Sequence, residues 1–265
     1  MSPISMRFDM SGLPDNNWHH FLRLRDLDQI FSEVPLDGIT RVLEIGAGDG
    51  VQTVALRKRF EEVVSIDISP SGKLNGIIVA DANSLPFVDG YFDLVFSSNV
   101  LEHVERLEES LIEMKRVLTK KGIMIHSMPT STWKVLQVLG RPVASIVKIT
   151  RKVMPGLTHR ADRSTTSYHV SNDNFGPPKR SLLTRILGQC IPTIHGVSSN
   201  HVEEFIHFRT RWWIGVFNTV DLTCYRISPL FFHSPYQILP YKFLHLRDRI
   251  AKAGLTSVQV FWLRL

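Results

Sequence analysis

Short apolar segments and amphipathic segments alternate along the first half of the chain. An apolar run of four to eight residues indicates a buried strand, whereas apolar positions three and four apart indicate a helix with one buried face. The predicted strands are RVLEIG, EVVSIDI, GIIVADA, YFDLVFSSNV and KKGIMIHSMP, in chain order. The predicted helices cover residues 18–34, 50–60 and 106–120. This alternation predicts an α/β fold with a doubly wound, mostly parallel seven-stranded sheet covered by helices on both faces.

The alternation stops after Pro129 and resumes near residue 201. Residues 131–200 show no regular order of strands and helices, and we interpret them as an insertion after strand five. Four further segments, two helical and two strand-like, then complete the sheet: EEFIHFRTRWWIGVFNTV, LTCYRISPLFF, YKFLHLRDRIAKAG and TSVQVFWLRL. We predict one domain over residues 1–265, with a core at 18–130, the insertion at 131–200 and a completing part at 201–265.

Composition is that of an ordinary globular protein. The chain has 265 residues, of which 43% are hydrophobic and 21% are charged. It contains no apolar run long enough to span a membrane, and its first residues lack the pattern of a secretory signal. Cys190 and Cys224 have no metal-ligand spacing. We therefore expect a cytoplasmic protein with reduced thiols.

The two halves of the chain carry opposite charge. Residues 1–130 hold 13 Lys and Arg against 19 Asp and Glu, a net charge of −6. Residues 131–265 hold 18 against 6, a net charge of +12. Such an asymmetry predicts that the second half meets an anionic partner, with a solvated basic surface as the alternative.

The segment GAGDG, residues 46–50, lies between the first predicted strand and its helix. Ligands of a doubly wound sheet bind at this edge, and glycine allows a sharp turn and a close approach. The spacing departs from the G-x-G-x-x-G of dinucleotide sites, and Glu44 and Asp49 are poor neighbours for a pyrophosphate. Asp67 ends the second strand, where a carboxylate can accept both hydroxyls of a ribose. Asp81 ends the third, where it can accept from an adenine amino group.

These residues resemble the class I S-adenosylmethionine-dependent methyltransferases, particularly the bacterial group that methylates small molecules. The resemblance rests on VLEIGAGDG, SIDIS, ADANSLPFVDGYFDLVFSSNVLEHV and EMKRVLTKKGIMIHSMP, and covers about residues 40–130. It implies S-adenosyl-L-methionine as cofactor, with 18–130 as the cofactor-binding core and 131–200 as a substrate or lid insertion. It also implies the cofactor-binding residues, which are Glu44, Gly46, Ala47, Gly48, Asp67, Ile68, Asp81, Ala82 and Ser97.

Histidines supply the candidate catalytic groups. Transfer to an oxygen needs a base, and histidine suits that task near neutral pH. His103, in NVLEHV, follows strand four beside the methyl end of the cofactor in the family, and its alternative role is to hold the loop. His195 is the second candidate. His201 and Glu204, at helical spacing, are candidate substrate contacts together with Trp133. No sharp ligand pattern appears, and no metal is predicted.

The insertion begins with a segment of interleaved apolar and basic residues, 133–153, which contains Pro142 and is expected to break or kink there. It fits a lid that steers an anionic substrate, or a peripheral contact with an anionic membrane.

Similar layouts occur among methyltransferases of bacterial surface-polysaccharide synthesis. The predicted acceptor is therefore a hydroxyl of a sugar or lipid-linked glycan. Another small molecule or a lipid quinone remains open. A nucleic acid also stays open as the acceptor, because the basic second half would suit it. A nucleic-acid partner is nevertheless not expected, since the end of strand four reads SSNV rather than the Asn/Asp-Pro-Pro-aromatic motif of enzymes that methylate amino groups of bases. A non-catalytic relative that keeps the cofactor pocket is the alternative from a different class.

Overall fold

The computed structural model describes residues 18–32, 36–71, 76–153, 192–232 and 243–265. The helices are α1 (Trp18–Ser32), α2 (Val51–Arg57), α3 (Leu107–Val117), α4 (Ser131–Val153), α5 (His201–His207), α6 (Thr210–Thr219) and α7 (Leu244–Lys252). The strands are β1 (Arg41–Ile45), β2 (Glu62–Asp67), β3 (Ile77–Val79), β4 (Phe92–Ser98), β5 (Leu118–Pro129), β6 (Thr223–Phe231) and β7 (Val258–Arg264). A 3-10 turn, Leu101–His103, follows β4.

The strands form one seven-stranded sheet in the order β3-β2-β1-β4-β5-β7-β6. β1 to β5 are parallel, and β7 runs antiparallel to both β5 and β6. The order reverses between β1 and β4, so the loops after these two strands face each other across the crevice where ligands of such sheets bind. The predicted α/β class and mostly parallel seven-stranded sheet are confirmed.

The core has two layers, one on each face of the sheet. Because successive strand residues point to opposite faces, Leu43 and Val95 pack with α3 and α6, whereas Val42 and Leu94 pack with α1 and α2. These four strand side chains are fully buried. Because helices cover both faces of the sheet, side chains on both faces of the parallel strands are apolar, and the strands therefore appear in the sequence as continuous apolar runs.

The second half of the chain differs in detail from the sequence expectation. The helix expected before β6 is two helices, α5 and α6, which meet at Phe208 and Arg209. Helix α4 continues through Pro142, so the proline does not end it. Residues 154–191 of the predicted insertion, including Cys190, lie outside the described residues. None of the helices that the structure describes is long and apolar enough to cross a membrane.

Candidate active site

The glycine loop after β1 crosses the end of the neighbouring strands. The backbone N–H groups of Gly46 and Ala47 both donate to the carbonyl of Ile66, at 2.9 and 3.0 Å. Gly46 has φ +76°, and a Cβ there would lie 2.3 Å from Cγ2 of Val100. Only glycine meets both demands, since the left-handed backbone and the packed neighbour each disfavour a side chain.

Asp67, the last residue of β2, holds the second half of this loop. One carboxylate oxygen accepts from Gly48 N and the other from Ser69 N, both at 2.8 Å. A carboxylate has about four acceptor positions, so each oxygen keeps one for another donor. Ile68 follows with 71% of its side chain exposed. The end of β2 thus offers a carboxylate edge and an apolar side chain side by side.

Asp81 and Ala82 lie just beyond β3, next to the end of β2, where Asp67 pairs with Val79 in register. Oδ1 of Asp81 accepts from the backbone N and the side-chain Nδ2 of Asn83, at 2.9 and 2.7 Å. Its other oxygen lies 3.9 Å from a guanidinium nitrogen of Arg106, a residue the sequence reasoning did not select. Asp81 and Asp67 therefore stand on the same edge of the sheet.

Glu44 and Ser97 lie deeper than the loop residues. Glu44 is buried, and its carboxylate accepts from Thr53 Oγ1 at 2.5 Å and Ser65 Oγ at 2.7 Å. Burial raises the pKa of Glu44, and these two hydrogen bonds oppose the rise. Ser97 is also buried, with its hydroxyl 2.8 Å from Nδ1 of His126. In this structure both side chains are engaged within the protein, beneath the glycine loop.

Helix α1 also reaches the loop, which the sequence did not reveal. His20 Nε2 lies 2.7 Å from Asp49 Oδ2 in the loop itself. Arg23 donates to the carbonyl of Ser98 at 3.0 Å, at the end of β4. The amphipathic pattern predicts helix α1, but it does not show which part of the protein the polar side chains of the helix contact.

Three predicted residues meet on the other side of the crevice. The ring centroids of His103 and His195 are 4.5 Å apart, and Trp133 lies 5.1 Å from His195. Burial is the main cause that lowers the pKa of His103. The neighbouring His195 and Arg23 lower it further, whereas the negative charge of Glu102 opposes this shift. The lowered pKa favours the neutral form of His103, which can accept a proton.

His201 and Glu204 are placed elsewhere. Glu204 is fully buried on α5, where Lys134 of α4 donates to it as a buried ion pair. Nδ1 of His201 lies 3.0 Å from the same lysine nitrogen. This pair joins α4 to α5, and the predicted role of both residues in substrate contact stays a prediction.

Three observations at the ends of β1 and β2 fit the binding of S-adenosylmethionine there. Apart from its chain neighbours, no atom of the described residues lies within 4 Å of the position that a Cβ of Gly48 would take, so within this part of the chain that side of the loop is open to a ligand. The carboxylate of Asp67 has acceptor positions left for a diol, and the exposed Ile68 offers an apolar surface to a flat base.

Comparison with known proteins supports the same class. Residues 43–126 match the family model described as a methyltransferase domain. An S-adenosylmethionine-dependent methyltransferase structure from Thermotoga maritima superimposes with a TM-score of 0.50 at 15% identity, over 92% of this chain and 90% of that one. The fold is that of the class I S-adenosylmethionine-dependent methyltransferases, whose cofactor is S-adenosylmethionine. Over residues 43–126 the chain is similar in sequence to a methyltransferase domain.

Curated relatives match part of the chain. A malonyl-[acyl-carrier protein] O-methyltransferase from Geobacter sulfurreducens is 26% identical over 132 residues, 44% of this chain and 49% of that protein. A demethylmenaquinone methyltransferase from Beutenbergia cavernae is 30% identical over 127 residues, 43% of this chain and 53% of that one. The chain thus spans about half the length of these relatives.

Proposed function

We propose that the protein is an S-adenosylmethionine-dependent methyltransferase that acts on a small molecule. The observation that carries the proposal is the joint placement of Gly48, Asp67 and Ile68 at the end of β1 and β2, with an open side on the loop and a carboxylate that retains acceptor positions. The matched methyltransferase domain supports it, because it spans these same residues.

Each residue at the edge has a distinct role in this proposal. Asp67 accepts the ribose hydroxyls, Ile68 packs on the adenine, and Asp81 with Ala82 meets the adenine edge. The loop at Gly46 to Gly48 lets the methionine part approach the backbone. When bound, the cofactor supplies a methyl group on a sulfonium, which is an electrophile with a good leaving group.

The acceptor side is the crevice near His103 and His195. Transfer to a hydroxyl requires a group that removes its proton, and the neutral imidazole of His103 can do so. Placing the acceptor oxygen in line with the methyl group supplies much of the remaining rate. Trp133, half-buried beside His195, offers an apolar wall for the acceptor.

The acceptor we propose is an anionic small molecule, with the hydroxyl of a sugar or lipid-linked glycan of bacterial surface-polysaccharide synthesis as the finer candidate. The net charge of +12 on residues 131–265 supports an anionic acceptor. The named relatives act on a malonyl-acyl-carrier protein and on demethylmenaquinone, so a carboxylate and a quinol belong in the same screen.

Peripheral membrane contact through residues 133–153 is a separate proposal. It is supported by exposed apolar side chains on α4, where Val135, Val138 and Leu139 are 43%, 40% and 65% exposed. Sedimentation with anionic lipid vesicles tests it. Equal sedimentation of the native protein and a variant with all three residues changed to Ser would contradict it.

Calorimetric titration with S-adenosylmethionine and S-adenosylhomocysteine tests the main proposal. We expect micromolar binding, weakened at least about tenfold by Asp67→Ala, since a hydrogen bond to a charged group is worth about 1.5–3 kcal/mol. Asp221→Asn is the matched control, because Asp221 is 92% exposed and lies next to β6, away from the glycine loop. Absence of binding to folded native protein, or equal binding by Asp67→Ala, would refute the cofactor assignment.

A further inference from the structure

The carboxylate of Glu102, in the 3-10 turn after β4, is buried without a hydrogen-bond partner. Its side chain is 2% exposed, and neither oxygen has a hydrogen-bond partner among the described residues. The nearest cationic candidate is Nε2 of His195, 3.8 Å from Oε1 and beyond hydrogen-bond distance. An ionised carboxylate in such a place costs several kcal/mol unless a positive partner compensates it.

Two imidazoles converge on this carboxylate. One ligand atom each from Glu102, His103 and His195 can be chosen so that all three lie within 4.8 Å of one another. Ligands around one tetrahedral ion at about 2.0–2.2 Å from it are about 3.5 Å apart. Side-chain shifts of about 1 Å would therefore bring the three ligand atoms to the separations that one bound ion requires.

The backbone holds the two halves of the cluster together. Val197 N donates to the carbonyl of Glu102 at 3.1 Å. Gly196 has φ +79°, and a Cβ there would lie 2.3 Å from the same carbonyl oxygen. The segment before α5 can pack this closely against the turn only because residue 196 is glycine, and this packing brings His195 to Glu102.

We propose that Glu102, His103 and His195 bind one divalent transition-metal ion, with Zn²⁺ as the ion that best fits the set. Two imidazole nitrogens and one carboxylate oxygen suit Zn²⁺ and its neighbours, whereas Mg²⁺ and Ca²⁺ prefer oxygen ligands. His103 and the side chain of His195 are exposed, so an ion held by the cluster would have a fourth position accessible to solvent. Three protein ligands with one open position is the pattern of an ion that binds an exchangeable oxygen ligand.

In the proposed function the acceptor binds near His103 and His195, so the open position would lie on the acceptor side of the crevice. An acceptor hydroxyl bound there would have a lowered pKa and would release its proton to solvent water, with both histidines acting as ligands instead of bases. This consequence rests on the proposed function, whereas the metal site itself does not.

Titration of the chelator-treated full chain with Co²⁺ tests the site, because Co²⁺ in a site of this kind absorbs visible light. No S-adenosylmethionine is added, so the result is independent of methyl transfer. We expect one equivalent of Co²⁺ to bind, and Zn²⁺ to displace it with loss of the absorption. Glu102→Gln and His195→Gln should each weaken binding about tenfold or more, whereas His245→Gln, at an exposed histidine on α7, should not.

Thermal unfolding distinguishes a lost ligand from a lost fold. Without metal, Glu102→Gln should unfold at the same temperature as the native protein or higher, since it removes a buried charge. Zn²⁺ should raise the unfolding temperature of the native protein and leave that of Glu102→Gln unchanged. Absence of stoichiometric Co²⁺ binding by folded native protein, or equal binding by both ligand variants, would overturn the proposal.

Discussion

Gly46→Ala is expected to destabilise the protein more than any ordinary loop substitution. The residue has φ +76°, a conformation that costs an L-residue about 1–2 kcal/mol. Its new Cβ would also lie 2.3 Å from Cγ2 and 3.0 Å from Cγ1 of Val100. A Cβ atom cannot be accommodated at such a distance, so the loop or the end of β4 would have to move.

The two effects add to a substantial loss. Overpacking of a tight site costs about 1–3 kcal/mol. With the backbone term, Gly46→Ala should lower the free energy of unfolding by about 2–5 kcal/mol. This is a large fraction of the stability of a typical domain.

Gly48→Ala is the matched control within the same loop. Its φ is +56°, but in the part of the chain that the structure describes no atom beyond its chain neighbours lies within 4 Å of the position its Cβ would take. Only the backbone term applies, so the expected loss is about 1–2 kcal/mol. The added methyl group would project into the open side of the loop, so the affinity for S-adenosylmethionine should fall although the fold survives.

Chemical denaturation of the single variants and of the double variant Gly46→Ala with Val100→Ala measures these effects. Val100→Ala removes both γ-methyl groups, so it should recover part of the loss caused by Gly46→Ala and give a favourable coupling energy. If Gly46→Ala costs no more than Gly48→Ala, or if the double variant shows no coupling, the steric explanation is wrong.

Two further predictions concern buried polar groups away from the loop. Lys134→Met should cost about 3–5 kcal/mol, because it removes the hydrogen-bonded cation from the buried carboxylate of Glu204 and leaves only His201 Nδ1 near it, at 3.7 Å. Adding Glu204→Leu should restore much of this loss in denaturant unfolding, and a double variant no more stable than Lys134→Met would contradict this. Burial lowers the pKa of His126 from 6.5 to about 3, so below pH 6.5 the unfolded chain binds a proton that the native state does not. The His126 contribution to stability should therefore fall by about 2 kcal/mol between about pH 7.5 and about pH 5. A pH dependence identical in His126→Asn, measured by unfolding at both pH values, would refute it.

Much of the cofactor half follows from the sequence because its signals are local. Each buried strand shows as an apolar run, and Asp67 and Asp81 follow at strand ends, where the parallel arrangement predicts that they share an edge. The structure places them there, and Gly46 is required by its backbone conformation and its contact with Val100. These features depend on residues close in the chain and on one rule of sheet geometry.

The second half was harder to interpret because its decisive contacts are distant in sequence. The pattern predicted one helix where α5 and α6 occur, since the break at Phe208 and Arg209 carries no proline or glycine signal. The sequence placed His195 near His201 and Glu204. In the structure His195 lies against Glu102 and His103 instead.

The sequence by itself determined the fold class of this protein, its sheet and the strand ends at which we predict the cofactor site, because strand periodicity, loop glycines and strand-end acids are local features of the sequence. Only the tertiary structure decided which polar groups meet inside. The burial of Glu102 beside two histidines, and the pairing of Lys134 with Glu204, arise when α4 and the segment before α5 pack against the sheet. The groups that surround a buried polar side chain come from segments distant in sequence, and no local pattern of residues contains that information.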